Sequence, residues 1–109
     1  MDCIFCRIVE KSQPADIVYE DDALIAFKDI RPKSDIHVLL LPKAHIPTVN
    51  DLDEHHVTLM GRLFLTAKKL AAQWSLVEPG YRLRVNVGRG GGQIIDHLHM
   101  HLLSGQRKR

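Results

Sequence analysis

The chain has 109 residues, 45% hydrophobic and 26% charged, with a formal net charge of +2. That is the length and composition of one ordinary globular domain, with too little excess charge to point to nucleic acid or an acidic membrane as a partner. No apolar run approaches the roughly 18 residues of a membrane-spanning helix. The opening "MDCIFCRIVEK" lacks the basic start and long apolar core of a secretory signal, so a cytoplasmic home with reduced thiols is expected.

Along the chain, Ile4, Phe5, Ile8 and Val9 recur at helical spacing and predict a short helix ending before Pro14. "IVYEDDALIAF" reads as a hairpin turning at Asp21-Asp22, and "HVLLLP" as a buried central strand stopped by Pro42. A long helix is expected over about residues 51–74, started by a capping box of Asp51 and Glu54. Its apolar stripe is Val57, Met60, Phe64, Ala67, Ala71 and Trp74, with Leu63, Leu65 and Leu70 as surplus apolar residues. In "YRLRVNV" alternation sends Tyr81, Leu83, Val85 and Val87 inward and Arg82, Arg84 and Asn86 outward. The loop from Gly88 to Gly92 has no Gly-Lys-Ser/Thr ending and opens no helix, so it is a flexible turn rather than a P-loop. Arg107-Lys108-Arg109 reads as a solvated tail and His55 and His56 as exposed; neither a repeat nor a second domain is visible across 1–109.

Two constellations carry chemistry. In "DHLHMHLL" the histidines at 97, 99 and 101 alternate with Leu98, Met100 and Leu102. On a strand this puts the imidazoles on one face, roughly 6.5–7 Å apart, and the apolar residues on the other. The row could ligate a catalytic metal, attack a phosphate, or sit buried in hydrogen bonds. Three buried imidazoles would each need a partner, which favours chemistry. The second constellation, Cys3-x-x-Cys6, reads as half a metal site or a redox dithiol, although a thioredoxin-like motif would need a preceding strand.

"HLHMHLL" resembles the His-x-His-x-His-apolar-apolar signature of the histidine triad (HIT) superfamily. "IFCRIVEKSQPADIVYEDD", "AFKDIRP", "HVLLLPKAHI" and "GYRLRVNVGRGGGQ" fall in the same family's order and spacing. The nearest branch is the Hint group of purine nucleoside phosphoramidases. The resemblance implies an α+β, HIT-like fold: an antiparallel sheet of about five strands, one long helix and a short N-terminal helix. It implies His99 as the nucleophile on the α-phosphorus of a purine nucleotide, His101 as the group at the phosphate and leaving group, and His37 closing the far side, with His97 completing the triad. The base would lie among Ile4, Phe5, Ile8 and Phe27, and Asp29 would accept the ribose hydroxyls. Asn86, Gly92 and Gln93 would flank the phosphate. Read without the family, Ile4, Ile8 and Phe27 are core residues and Asp29 a turn carboxylate.

The resemblance also implies a structural Cys2His2 zinc site of Cys3, Cys6, His45 and His97, with no metal needed for the chemical step, and a homodimer pairing the long helix and the adjoining sheet edge. The sequence departs from the family at Ile94, where the Hint enzymes carry a serine near the leaving group. It also ends at "SGQRKR", where relatives continue into a longer loop, so leaving-group selectivity is the property the resemblance carries over least. The implied function is phosphoramidase-type nucleotide hydrolysis. The rivals are a dinucleoside polyphosphate hydrolase on the same fold and a regulatory module that binds nucleotide without turnover.

Overall fold

The structure, a computed structural model, describes residues 3–107. The N-terminal helix α1 (Ile4–Val9) is capped by Cys3, whose Sγ accepts the Cys6 N–H at 3.5 Å. Strands β1 (Ile17–Glu20) and β2 (Leu24–Lys28) make the expected hairpin. The turn is held by one Asp21 carboxylate oxygen, which accepts the N–H groups of Ala23 and Leu24 at 2.8 Å each. The central strand β3 (Ser34–Pro42) is followed by the long helix α2 (Val57–Gln73), then β4 (Arg82–Arg84) and β5 (Met100–Arg107). All five strands form one antiparallel sheet in the order β1-β2-β3-β5-β4.

The period of two sorts the side chains onto two faces. Leu24, Ala26, Val38, Leu40, Met100 and Leu102 share one, and α2 covers it with Leu63, Ala67, Leu70 and Ala71. Ile25, Phe27, Leu39 and Leu41 share the other, which α1 covers in part with Phe5 and Ile8. Leu98 buries with the α2 layer, so the histidine segment divides as alternation requires. The regular ladder begins only at Met100, however; His97 lies in a bend, its N–H on the Ile95 carbonyl at 2.9 Å, and Leu98 and His99 lead from it into β5.

Several expectations are corrected. The long helix starts at Val57 rather than near 51, because the segment before it forms two separate 3-10 turns, Val49–Asp51 and Glu54–His56. Each has its own capping box: Thr48 with Asp51, and Asp53 with His56, so Asp51 and Glu54 do not pair as one cap. His56 is therefore half-buried, accepting the Asp53 N–H at 3.0 Å, while His55 is exposed. On α2, Leu63 and Leu70 belong to the buried stripe; Val57, Phe64 and Leu65 are 69%, 55% and 67% exposed. Tyr81, Leu83 and Val85 pack on the core as expected, but Val87 joins neither apolar cluster. Arg107 is not tail: its backbone pairs with Ser34 in the β3–β5 ladder, and Lys108 and Arg109 lie outside the described residues. The glycine loop contains a 3-10 turn, Arg89–Gly91, closed by the Gln93 N–H on the Gly88 carbonyl at 2.9 Å. Gly92 follows at φ +88°, a left-handed conformation that glycine adopts without a Cβ penalty.

Candidate active site

A cavity of about 440 Å³ opens between α1, the β2–β3 connection, the glycine loop and the histidine segment. Its apolar wall is Ile4, Phe5, Ile8, Phe27 and Leu39; Asp29, His37, Arg84, Asn86, Gly92, His99 and His101 supply the polar part. Phe5, Ile8 and Phe27 are at once core and cavity wall, being 4–6% exposed. The Phe5 ring stands edge-on to Phe27 at 5.4 Å and to His99 at 5.1 Å, so it joins the apolar wall to the histidines. Two expected site residues lie outside the cavity. The Gln93 amide is engaged with backbone, accepting from Gly88 N–H at 2.9 Å and donating to the Pro47 and Ile95 carbonyls at 2.6 and 3.0 Å. Gln93 thus braces the loop. His97 turns the opposite way, toward the cysteines.

Hydrogen bonds determine which ring nitrogen carries each proton. A carbonyl only accepts, so His99 Nδ1 donates to the His97 carbonyl at 2.6 Å and neutral His99 keeps a lone pair on Nε2. On the other side the Lys33 backbone N–H donates to His37 Nδ1 at 2.9 Å. His37 must then carry its proton on Nε2, which donates to His101 Nδ1 at 2.8 Å. That leaves the proton of neutral His101 on Nε2. One backbone N–H thereby orders His37 and His101, and one carbonyl orders His99, giving a donor on His101 and a lone pair on His99. Burial lowers the pKa of His37 and His99, and takes His101 down to about 4 with help from His99, Arg84 and His37. Burial thus favours the neutral form of all three.

Asp29 is the expected turn carboxylate and also faces the cavity. One carboxylate oxygen accepts the Arg31 N–H at 2.7 Å in a turn, the other lies 3.5 Å from His37 Nε2, and the residue lines the cavity. Asp29, His37 and His101 also bring three ligand atoms within 4.8 Å of one another. A metal there would need a second lone pair on His37, whose Nδ1 already accepts from Lys33, so this trio suits a proton chain better than an ion.

The comparisons with known proteins agree with this geometry. The family described as "Scavenger mRNA decapping enzyme C-term binding" matches residues 2–109. A purine nucleoside phosphoramidase of Escherichia coli (strain K12) is 47% identical over 103 residues, which is 94% of this chain and 87% of the relative. A HIT family hydrolase from Legionella pneumophila superposes with a TM-score of 0.95 at 45% identity, covering 97% of this chain and 95% of that one. A histidine triad protein from Clostridium difficile gives 0.93 at 35%, covering 100% and 95%. The chain belongs to the histidine triad family and is a hydrolase.

Away from its cavity, this histidine triad hydrolase carries a second cluster. Cys6 Sγ lies 3.3 Å from His45 Nδ1, and His97 Nδ1 lies 3.5 and 3.7 Å from Cys3 and Cys6 Sγ. All four ligand atoms are within 4.8 Å of one another, a group able to hold a metal. His97 Nε2 donates to the Pro42 carbonyl at 2.8 Å, which aims the Nδ1 lone pair at the thiols. Burial, with Cys3 alongside, pushes the Cys6 thiol up to about 11. The sequence reading missed Arg84, Arg31, Lys33, Leu39 and Ile95 as cavity residues. For Arg84 the signal was present: it shares the parity of Asn86, so the "outward" face of "YRLRVNV" is the cavity face.

Proposed function

We propose that the protein cleaves the bond between the α-phosphate of a purine nucleotide and an amine or related leaving group, through a nucleotidyl-histidine on His99. The observation that carries this reading is the 2.6 Å bond from His99 Nδ1 to its own segment's carbonyl, which leaves Nε2 with a lone pair at the cavity wall. The 47% identity to a purine nucleoside phosphoramidase supports the substrate class. The base lies on Ile4, Phe5, Ile8 and Phe27, and Asp29 takes the ribose hydroxyls. Asn86 gives one amide N–H to the Gly91 carbonyl at 2.7 Å, and the other N–H, with the backbone at Gly92, takes a phosphate oxygen.

In the first step Nε2 of His99 bonds to phosphorus as the phosphorus–nitrogen bond of the substrate breaks. The ring becomes cationic, and its Nδ1–H bond to the His97 carbonyl strengthens as charge develops. His101 Nε2–H, left as a donor because Nδ1 accepts from His37, protonates the departing amine. In the second step water attacks phosphorus, the bond to His99 breaks, and the water's proton returns to His101. The products are a nucleoside monophosphate and the free amine. Ile94 lines the cavity 79% exposed and brings no hydroxyl to the leaving group, so turnover leans on His101 for that proton.

Zinc fits the second cluster as a structural ion. Ligand bonds of about 2.3 Å to sulfur and 2.0–2.1 Å to nitrogen make tetrahedral sulfur–nitrogen edges of roughly 3.6 Å, and the Cys3–His97, Cys6–His97 and Cys6–His45 contacts span 3.3–3.7 Å. With four protein ligands no position is left for water, so the ion ties α1, the turn after β3 and the histidine segment together. The exposed Val57, Phe64 and Leu65 support pairing of α2 with a second copy about a two-fold axis. Among the described residues no helix is long and apolar enough to cross a membrane. We place the protein in the cytoplasm as one domain over 1–109, where both cysteines stay reduced. The test is steady-state turnover of an adenosine phosphoramidate beside a dinucleoside polyphosphate, both with and without chelator. Turnover of the phosphoramidate, retained with chelator while the fold persists, is expected; no hydrolysis of either substrate would overturn the reading.

A further inference from the structure

Phe27, Leu39, His101 and Arg84 are register partners on the successive strands β2, β3, β5 and β4, and all four line the cavity. Adjacent strands lie about 4.8 Å apart, so the row runs from the apolar wall, past the reacting centre, to an arginine one strand beyond it. Direct cross-strand partners on one face hold their Cβ atoms about 5 Å apart; Arg84 therefore stands beside His101, on the side away from Phe27.

The charges around it are lopsided. Lys28, Arg31, Lys33 and Arg84 line the cavity against the single carboxylate of Asp29, in a chain whose whole formal charge is +2. Lys28 is 3.5 Å from Asp16. Asp29 serves the Arg31 N–H and His37. Among the described residues the Arg84 guanidinium has no hydrogen-bond or ion-pair partner, unlike Arg82 one turn of the pleat away, which donates to Ser34 Oγ at 2.7 Å. An unpaired guanidinium in a concave, partly apolar site is a bidentate donor set for a carboxylate or phosphate.

We propose that Arg84 forms an anion subsite for the leaving group, so that the enzyme prefers substrates whose leaving group carries its own carboxylate or phosphate. The proposal rests on the hydrolase reading above and deepens it. Displacement by His99 sends the leaving group away from Nε2 and past His101, and Arg84 is the cation at that end. There it neutralises charge already on the leaving group and any that develops as the bond to phosphorus breaks.

Three substrates test it: the adenosine 5′-phosphoramidates of β-alanine and of β-alaninamide, which differ by one negative charge, and diadenosine triphosphate. In the wild type kcat/KM for the β-alanine conjugate should exceed that for the β-alaninamide conjugate by about tenfold, the scale of one charge-assisted hydrogen-bonded pair. Arg84→Gln should bring that ratio close to one. If diadenosine triphosphate alone loses ground to the neutral conjugate in Arg84→Gln, the anion is a phosphate; if the β-alanine conjugate alone does, it is a carboxylate. Ratios unchanged by the substitution, or an equal loss for all three substrates, would overturn the proposal, the latter because Arg84 would then hold the reacting phosphate. Calorimetric binding of the same compounds to His99→Ala, with and without Arg84→Gln, reads the subsite in the absence of chemistry. Arg84-dependent binding of the anionic ligands alongside a wild type that turns nothing over would sink the hydrolase reading and leave the subsite standing.

Discussion

His99 and His101 differ in what their δ nitrogens hold, and that difference underlies the separate roles proposed for them. His99 Nδ1 donates to a carbonyl, whereas His101 Nδ1 accepts from His37, whose tautomer is dictated by the Lys33 N–H. Replacing His101 with Ala should slow turnover by about 10²-fold or more, the usual share of a general acid, while a nucleotidyl adduct still forms with good leaving groups. A rate indistinguishable from wild type would remove His101 from the mechanism. Burial also couples His101 to stability. Its pKa is about 4 in the fold against 6.5 for the free side chain. Above about pH 6.5 neither state binds the proton. As pH falls toward about 4 the unfolded chain takes up a proton that the folded chain refuses, so stability is lost across that window. Urea midpoints should therefore decline from pH 6.5 to 4, and His101→Gln should flatten the decline. Identical slopes in the two proteins would contradict the depressed pKa.

At the scale of elements, α2 shows where a periodic pattern leaves two readings. The expected stripe of Val57, Met60, Phe64, Ala67, Ala71 and Trp74 and the surplus Leu63 and Leu70 lie on overlapping helical faces. The buried face takes Leu63, Ala67, Leu70 and Ala71, with Met60 and Trp74 packed against that core, and Val57 and Phe64 are left exposed. The Thr48 and Asp53 caps hold the preceding segment in separate turns, so the helix begins six residues later than expected. Those caps were readable residue by residue; which one governed the helix was set by the path of the chain over the sheet. Leu63→Ala, at a site 1% exposed, should cost about 2–5 kcal/mol of stability. Phe64→Glu and Leu65→Glu should instead leave the fold intact and shift sedimentation from dimer to monomer. A wild type that sediments as a monomer at micromolar concentration would remove the assembly. For α1 the expectation concerns metal. Protein purified without chelator should contain about one zinc per chain, and a strong chelator or Cys3→Ser should lower Tm. Metal-free protein whose Tm ignores both treatments would contradict the site.

Across the whole molecule, the sheet carries two cores on one alternation: an apolar layer beneath α2 and a reactive layer beneath α1. That division was legible in "HLHMHLL", because a period of two assigns faces without knowledge of the neighbours, and the continuous apolar run of "HVLLLP" marked the strand buried on both sides. What sequence could not supply was which residue of the neighbouring strand Arg84 stands beside. "YRLRVNV" shows that Arg84 and Leu83 part company, but only the β5–β4 pairing places Arg84 beside His101. Gln93 is the converse case, a polar residue next to the phosphate region whose amide turned out to brace the loop. The proposed mechanism puts its central step on a single atom, Nε2 of His99. The most direct measurement is intact-mass and peptide-level analysis of protein quenched during turnover of an adenosine phosphoramidate. The account predicts one added AMP per active site, mapped to His99 and absent from His99→Ala. An adduct on another residue, or undiminished turnover in His99→Ala, would contradict it.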